Sequence, residues 1–382
     1  MSAPPEVTQD AIGNWDGWAA QRPPAAGLHF DSAAAGRSAT SVLAAVSDHA
    51  LLEAQVGSYI AEEMAAPVIE AGRAALASLL GVPADGLAFV ESATAALQTL
   101  LASWPFRVGD TIAVAPSEWG PALEAFAGHG LQVTELATVG DGQIDLEYLE
   151  RLLRQAPPAI VHLTQVASHR GLVQPVAQAA VLCQAAGVPL WVDAAQALGH
   201  VDTALGADAV YSPGRKWLTA PRGVGVLAVA EAWWDRLAVR KPAMDPVDWP
   251  TVRFLESHDA HVAGRVGLST AVRQFLDIGP AQVWRRLREV GQETREALGD
   301  LPGWQVAGPA DAPSAITGLR PTAGQDLLAV RRQLLSEHGI VTTVARMARA
   351  PREMTQNLLR ISPHVDCSAA DLKLLRAALA TG

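Results

Sequence analysis

One lysine, Lys216, stands in the stretch YSPGRKWLTAPRGVGVL, shortly after the apolar run DAV. In an open parallel sheet, ligands bind beyond the carboxyl ends of the strands, so polar residues that follow apolar runs are candidates for chemistry. A lysine that points into such a cleft loses solvation, and a chain ordinarily avoids this unless the amine has a role. The position indicates an amine that reacts covalently with a carbonyl group.

Other polar or aromatic residues follow the neighbouring apolar runs. Taken singly, each has an ordinary structural explanation, such as helix capping for a strand-end aspartate. Together they offer a phosphate cradle at a helix N-terminus, an aromatic plane, an acid and a lysine, which is a socket for pyridoxal 5′-phosphate. The residues of this set are Thr94, Trp119, Ser168, His169, Arg170, Asp193, Gln196, Arg215 and Lys216.

The elements that position this set are predicted from the apolar pattern. From about residue 85 to 230, short runs rich in Val, Ile and Leu alternate with helical patterns, which predicts a mostly parallel sheet with covering helices. We expect a large cofactor-binding α/β domain over residues 27–245 and a smaller α+β domain from residues 1–26 and 246–382. ITGLRP and LLRISP are its predicted strands, and SAADLKLLRAAL begins with a capping pattern.

Composition limits the classes of partner. The 382 residues carry a net charge of −10 with no lysine or arginine cluster, which disfavours nucleic acid and anionic membranes and favours a small molecule. No apolar run reaches the roughly 18 residues that span a bilayer, and the N-terminus lacks a signal-peptide pattern, so we expect a cytoplasmic protein. Two cysteines, Cys183 and Cys367, are too few for a disulfide framework or a metal cluster, and no metal is predicted.

An ordered series of motifs resembles the class V aminotransferase group of fold-type I pyridoxal-phosphate enzymes, which includes cysteine desulfurases. The resemblance extends from about residue 28 to 380, and Lys216 follows the aspartate of VDAAQ by 23 residues. The motifs are LHFDSAAAG, FVESATAAL, GDTIAVAPSEW, LTQVASHRGLVQPV, WVDAAQALGHVD, DAVYSPGRKWLTAPRGVGVL and LLRIS.

The resemblance implies a role for each matching residue. Lys216 matches the Schiff-base lysine, and Asp193 matches the partner of the pyridine nitrogen. Gln196 matches the neighbour of the ring hydroxyl. Ala93 and Thr94 match the phosphate-binding turn.

Further matches concern the substrate and the departures from the family pattern. Arg360 matches the arginine that receives the α-carboxylate of an amino-acid substrate. Trp119 replaces a stacking histidine, Arg215 replaces another histidine as an added phosphate ligand, and Ser168 replaces an asparagine. Ser212 adjoins the position of a phosphate-contacting serine.

The loop TVARMARAPREMTQ, residues 343–356, lacks the cysteine with which a desulfurase accepts sulfur. The resemblance therefore implies β-elimination across a carbon–sulfur bond without a protein nucleophile, on a cysteine-derived sulfoxide, with release of pyruvate and ammonia. His169, Arg170 and Arg346 are candidates for holding the rest of the substrate, as are Trp15 and Trp18.

Three alternatives stay open at this point. An aminotransferase would use the same lysine, aspartate and arginine, a cysteine desulfurase is disfavoured by the loop without cysteine, and a non-catalytic effector-binding domain could use the same fold. The group also implies a homodimer, whose partner would approach the segment FLESHDAHVAG near Asp259.

Overall fold

A computed structural model describes residues 15–240 and 248–380. Part of the proposed connector at 241–250, and with it the boundary at residue 245, lies outside the described residues, so the division into domains stays a prediction. The helices of the described ranges are α1 (Trp15–Ala20), α2 (Thr40–Val56), α3 (Ser58–Leu80), α4 (Ala93–Ser103), α5 (Gly120–Gly128), α6 (Leu146–Gln155), α7 (Val176–Ala186), α8 (Val262–Ile278), α9 (Pro280–Leu298), α10 (Leu327–His338) and α11 (Ala369–Ala380). The strands are β1 (Leu28–His29), β2 (Leu87–Val90), β3 (Thr111–Val114), β4 (Gln132–Glu135), β5 (Thr138–Val139), β6 (Gln143–Ile144), β7 (Ile160–Thr164), β8 (Leu190–Asp193), β9 (Ala209–Pro213), β10 (Gly225–Val229), β11 (Trp304–Ala307), β12 (Thr317–Pro321), β13 (Ile340–Val341), β14 (Thr343–Ala345) and β15 (Leu358–Ile361).

The described residues form a central seven-stranded sheet in the order β2-β10-β9-β8-β7-β3-β4. β10 is antiparallel to both of its neighbours, and the other pairs that are bonded to each other are parallel. Every residue of β2, β7, β8, β9 and β10 is buried, which explains their continuous apolar sequences. The prediction of a mostly parallel sheet with covering helices is confirmed.

Hydrophobic cores lie on both faces of this sheet. Adjacent residues of β8 show the division, because Trp191 packs in one cluster with Phe126 of α5, and Val192 packs in the other with Leu268 of α8. Successive side chains of a strand point to opposite faces, so a strand covered on both sides needs large apolar residues without interruption. No helix in the described ranges has the length and apolar content needed to cross a membrane.

A second, antiparallel sheet has the order β11-β12-β15-β14. The predicted strands ITGLRP and LLRISP correspond to β12 and β15, which are neighbours in this sheet. The capping pattern before α11 is also confirmed, since the Ser368 Oγ accepts from the Asp371 N–H and the Asp371 carboxylate accepts from the Ser368 N–H.

The carboxyl ends of the parallel strands meet at one edge of the central sheet. Val90, Asp193 and Pro213 all lie at this edge, because Gly225 pairs with both Val90 and Pro213 while β8 runs parallel to β9. Loops that follow the parallel strands therefore converge at this edge, which is where ligands bind in an open parallel sheet.

A buried ion-pair cluster joins the segment FLESHDAHVAG to the central sheet. Glu256 accepts from Arg73 at 2.5 Å and from the backbone N–H of Phe89 at 3.1 Å, and its other oxygen lies 2.8 Å from Arg265. Both arginine side chains are 10% exposed or less. Removal of the acid would leave two buried guanidinium groups without their shared partner.

We expect Glu256→Ala to destabilise the fold by about 3 kcal/mol, because an uncompensated buried charge is costly. The matched control is Glu150→Ala, which breaks an exposed ion pair with Arg154 and should cost less than about 1 kcal/mol. Thermal unfolding followed by circular dichroism measures both. Equal shifts in the two variants would contradict the assignment of Glu256 as a stabilising centre.

Candidate active site

A cavity of about 460 Å³ opens at the edge where the strands end. Most of the residues that the sequence singles out for a cofactor contribute to its wall. Those that line it are Ala93, Thr94, Trp119, Ser168, Asp193, Gln196, Arg215 and Lys216.

Lys216 lies in a turn that begins after the last residue of β9, rather than on the strand itself. The N–H of Gly36 donates to the carbonyl of Arg215 at 2.8 Å, and a Cβ at Gly36 would lie 2.4 Å from the carbonyl oxygen of Lys216. On the other side, the buried Trp217 donates its indole N–H to Gln196 at 2.9 Å. The lysine backbone is therefore held from both sides.

The surroundings of Lys216 favour its uncharged amine. Burial, together with the positive charges of three arginines, lowers the pKa of Lys216 to about 7, although Asp193 acts in the opposite sense. The arginines are Arg215, Arg360 and Arg349. A substantial fraction of the amine is then unprotonated near neutral pH. An unprotonated amine is the form that attacks a carbonyl or accepts a proton.

Asp193 lies at the last position of β8, with its side chain on the floor of the cavity. Its Oδ1 accepts from the backbone N–H of Ala195 at 2.7 Å. Burial raises the pKa of this carboxyl, and Glu118 raises it further, whereas Lys216 and His162 favour the carboxylate. The site therefore balances opposing charges around one acid.

The N-terminus of α4 faces the same cavity. Ser92 is its N-cap, and the Ser92 Oγ accepts from the Ala95 N–H at 3.1 Å. Ala93 and Thr94 follow in the first turn, where backbone N–H groups have no partner within the helix. With Arg215 in the same wall, this is a suitable place for a phosphate.

Ser212 has a different position from the other predicted cofactor residues. It is buried in β9 and is absent from the cavity wall, and its hydroxyl lies 3.1 Å from the carbonyl of Ala194. This contact joins the ends of β8 and β9.

Arg360 is fully buried in β15 of the smaller sheet, and it does not line the cavity but bonds to Ser168, which does. Its guanidinium donates to Asp31 at 3.0 Å and to the carbonyl of Ser168 at 3.1 Å, and its Nε has no partner. Asp31 lies in the motif LHFDSAAAG, but the sequence alone did not indicate its pairing with Arg360. An unsatisfied, buried donor suits the carboxylate that the family resemblance assigns to Arg360.

Arg349 lines the cavity and was missed by the sequence analysis. Its guanidinium lies 5.4 Å from the centre of the Trp119 ring. Arg346, the predicted arginine of this loop, is exposed and precedes the short 3-10 turn Met347–Arg349. The structure thus brings another arginine of the same loop into the cavity wall.

His169 and Arg170 lie beside the cavity wall and contact an acid. Two nitrogens of Arg170 donate to Glu353 at 3.0 and 2.8 Å, and His169 Nε2 contacts the same carboxylate. Although burial opposes it, these partners lower the pKa of Glu353 to about 2. Neither predicted residue lines the cavity, and Glu353 was not recognised in the sequence.

The two tryptophans near the start of the chain are also away from the cavity. Trp15 and Trp18 belong to α1, where Trp18 stacks on His364 with ring centres 4.5 Å apart and packs under Arg22. Asp259 is exposed in its segment, and a partner subunit there remains a prediction.

Neither cysteine is placed for sulfur transfer. Cys183 is buried in α7 and Cys367 is buried before α11, and neither lines the cavity. Burial raises the pKa of the Cys183 thiol to about 12 and raises that of Cys367 further. Both thiols are therefore poor nucleophiles.

Known proteins resemble this chain over most of its length. It is 49% identical to a probable hercynylcysteine sulfoxide lyase of Mycobacterium tuberculosis over 95% of this chain and 92% of that protein. Its fold matches the cysteine desulfurase CsdA of Escherichia coli, with a TM-score of 0.84, 23% identity, and coverage of 96% and 98% of the two chains. It also matches the cystine C–S lyase C-DES, with a TM-score of 0.82, 18% identity, and coverage of 93% and 98%.

These likenesses confirm the predicted fold class, an α/β fold of type I with a smaller antiparallel sheet. The family model described as aminotransferase class V matches residues 28–375. The chain therefore belongs to the aminotransferase class V family.

Proposed function

We propose that this protein is a pyridoxal-phosphate-dependent carbon–sulfur β-lyase that cleaves hercynylcysteine sulfoxide, on the way to ergothioneine. The observation that carries the proposal is a single cavity in which Lys216, Asp193 and the N-terminus of α4 face one another. The relative that is 49% identical supports the substrate, since its name states this activity for that protein.

The donors and acceptors of the cavity fit the cofactor. The first turn of α4 and Arg215 would hold its phosphate, Asp193 its ring nitrogen, and Lys216 its aldehyde. Trp119 offers an aromatic face in the same wall. When bound, pyridoxal phosphate withdraws electrons from the α-carbon of an attached amino acid and so acidifies its proton.

Three residues of the chain then have separate roles in the reaction. Arg360 binds the α-carboxylate through the donor that has no other partner. Lys216, whose pKa of about 7 favours the free amine, accepts the α-proton. Asp193 holds the proton on the ring nitrogen, which keeps the ring electron-withdrawing.

The elimination step balances without a protein nucleophile. The α-proton moves to the Lys216 amine, the electrons of the broken C–H bond form a carbon–carbon double bond, and the β-carbon–sulfur bond breaks. The sulfur departs as a sulfenate with the electron pair. Once released, the remaining enamine is hydrolysed by water to pyruvate and ammonia. The burial of Cys183 and Cys367 away from the cavity favours this chemistry over persulfide transfer.

Positive charge is in excess in and around the cavity. Arg215, Arg349 and Arg360 act on Lys216 together, and among the acids Asp31 acts on all three arginines. One end of the cavity therefore attracts anions, namely the phosphate of the cofactor and the carboxylates of the substrate. Arg349 lies by Trp119, so it is the arginine that we assign to the substrate half beyond the sulfur.

A second copy of the chain would cover an exposed apolar surface on neighbouring helices. Leu51 of α2 and Tyr59, Ile60 and Met64 of α3 are exposed, with Tyr59 at 81% and Met64 at 59%. Exposed apolar residues grouped on neighbouring helices often mark an interface. We include a homodimer in the proposed function for this reason.

The lyase reaction predicts pyruvate from hercynylcysteine sulfoxide and the cofactor-loaded protein. Lys216→Ala should lower the rate by about 10²-fold or more, because it removes the proton acceptor. A coupled lactate dehydrogenase assay measures the pyruvate. Parent protein that holds cofactor stoichiometrically and releases no pyruvate would refute the substrate. A new amino acid formed from an added keto acid would instead favour an aminotransferase.

Arg349→Ala should raise the KM for hercynylcysteine sulfoxide by about 10-fold or more, which corresponds to the loss of one charged hydrogen bond. Arg346→Ala is the matched control from the same loop, and its KM should stay within about twofold, since Arg346 is exposed outside the cavity wall. Steady-state kinetics separate KM from kcat. A larger effect at Arg346 than at Arg349 would reverse this assignment.

Sedimentation velocity should give the mass of a dimer for the parent protein. Tyr59→Asp combined with Met64→Asp should shift the mass to that of a monomer, because two charges would be placed in the apolar interface. Val108→Asp is the control, since Val108 is 95% exposed and lies away from these helices. A parent that sediments as a monomer would contradict the dimer.

A further inference from the structure

A buried polar cluster lies next to the floor of the cavity. His162 of β7, Asp193 of β8 and Tyr211 of β9 occupy three adjacent parallel strands, and Glu118 follows β3. Glu118 and His162 have no exposed surface, and Tyr211 is 1% exposed. The reaction proposed above uses only Asp193 of this group.

Hydrogen bonds connect the cluster into one chain. One Glu118 oxygen accepts from the Trp119 N–H at 2.8 Å and from the Thr164 hydroxyl at 2.7 Å. The other lies 2.8 Å from His162 Nδ1, and His162 Nε2 lies 2.8 Å from the Tyr211 hydroxyl. Trp119, Thr164 and Tyr211 also line the cavity, so the buried chain contacts the site at three places.

Burial and the neighbouring carboxylates have opposite effects on the pKa of His162. Burial disfavours an imidazolium at His162, but the adjacent Glu118 outweighs burial and raises the pKa of His162. Tyr211 remains a neutral phenol, since burial together with Asp193 and Glu118 raises its pKa well above the ordinary value. The raised pKa favours an imidazolium at His162, which would form a buried ion pair with Glu118 and donate its two ring N–H groups to Glu118 and to the Tyr211 oxygen.

Three charged groups and the backbone N–H of Ala195 act on the Asp193 carboxylate. Lys216 and His162 favour its charged form, whereas Glu118 disfavours it, and Tyr211 is neutral beside it. In the central sheet, Asp193 pairs with Tyr211 of β9 on one side and with Thr164 of β7 on the other. Thr164 lies two residues after His162 in the same strand. Glu118 alone would therefore favour a proton on Asp193.

We propose that His162 is a positioning residue whose positive charge offsets that of Glu118, so that Asp193 stays a carboxylate and the shared proton stays on the cofactor's ring nitrogen. This inference rests on the proposed cofactor but not on the proposed substrate. Glu118 has a structural role as well, because it accepts hydrogen bonds from the Trp119 backbone N–H and from the Thr164 hydroxyl.

Nitrogen-15 NMR of the holoenzyme, loaded with pyridoxal phosphate labelled at its ring nitrogen, tests this directly. The parent should show a pyridinium resonance. His162→Gln should move it most of the way toward neutral pyridine, because the unpaired Glu118 drives the proton onto Asp193. Glu118→Gln combined with His162→Gln should restore the pyridinium resonance, since it removes both charges.

The double variant separates charge from structure, because a merely structural loss at His162 would not be reversed by a second substitution. A pyridinium resonance that persists in His162→Gln, or one that fails to return in the double variant, would overturn the proposal. Absorbance of the bound cofactor confirms loading of each variant. A parent that binds no cofactor would instead contradict the proposed function.

A measurement on the parent protein tests the ion pair even if the variants fold poorly. With histidine labelled by nitrogen-15, one buried histidine should keep both ring nitrogens protonated at pH 8, where exposed histidines are neutral. Glu118→Gln should convert this residue to the neutral form. A parent in which every histidine is neutral at pH 8 would refute the ion pair.

Discussion

The amine of Lys216 has to be surrounded by protein and still be available without its proton. Water stabilises an ammonium strongly, so its removal from water lowers the pKa, and three nearby arginines add to this effect. The opposing charge of Asp193 keeps the shift moderate. Local contacts hold the lysine turn in this environment, including the close approach of Gly36 to the turn and the hydrogen bond from Trp217 to Gln196.

The two sheets contribute different parts of the site. The central sheet supplies Asp193, the turn of Lys216 and the N-terminus of α4 at its carboxyl edge. The smaller sheet supplies Arg360, which is anchored by Asp31. The residues that we assign to the cofactor thus lie on the central sheet, while the residue that we assign to the substrate carboxylate comes from the smaller sheet.

The sequence was sufficient for the fold class, two strands of the smaller sheet and eight of the residues that line the cavity. Lys216, Asp193 and Thr94 could be found because each lies at or shortly after the carboxyl end of a strand, where position along the chain indicates position in space. His162 was not recognised, since it lies inside the apolar run of β7 and its partners come from distant segments, Glu118 from the loop after β3 and Tyr211 from β9. Pairings between distant segments leave no periodic signal.

Pairing between distant segments also explains why the residues predicted to hold the substrate differ from those that line the cavity. Arg170 follows a strand and was predicted to face a ligand, but its side chain pairs with Glu353, 183 residues away. In the loop 343–356, the sequence could not tell which arginine faces inward, because the turn there follows no regular period. Only the folded loop places Arg349 by Trp119 and leaves Arg346 exposed.

The central claim is that the turn after β9 presents Lys216 to a bound cofactor. Borohydride reduction of the pyridoxal-phosphate-loaded protein, followed by proteolysis and mass spectrometry, tests it most directly. We expect one pyridoxyl group per chain, on the peptide that contains Lys216, and none in Lys216→Ala. A pyridoxyl group on Lys373, or the absence of a covalent adduct in a correctly folded parent, would contradict it.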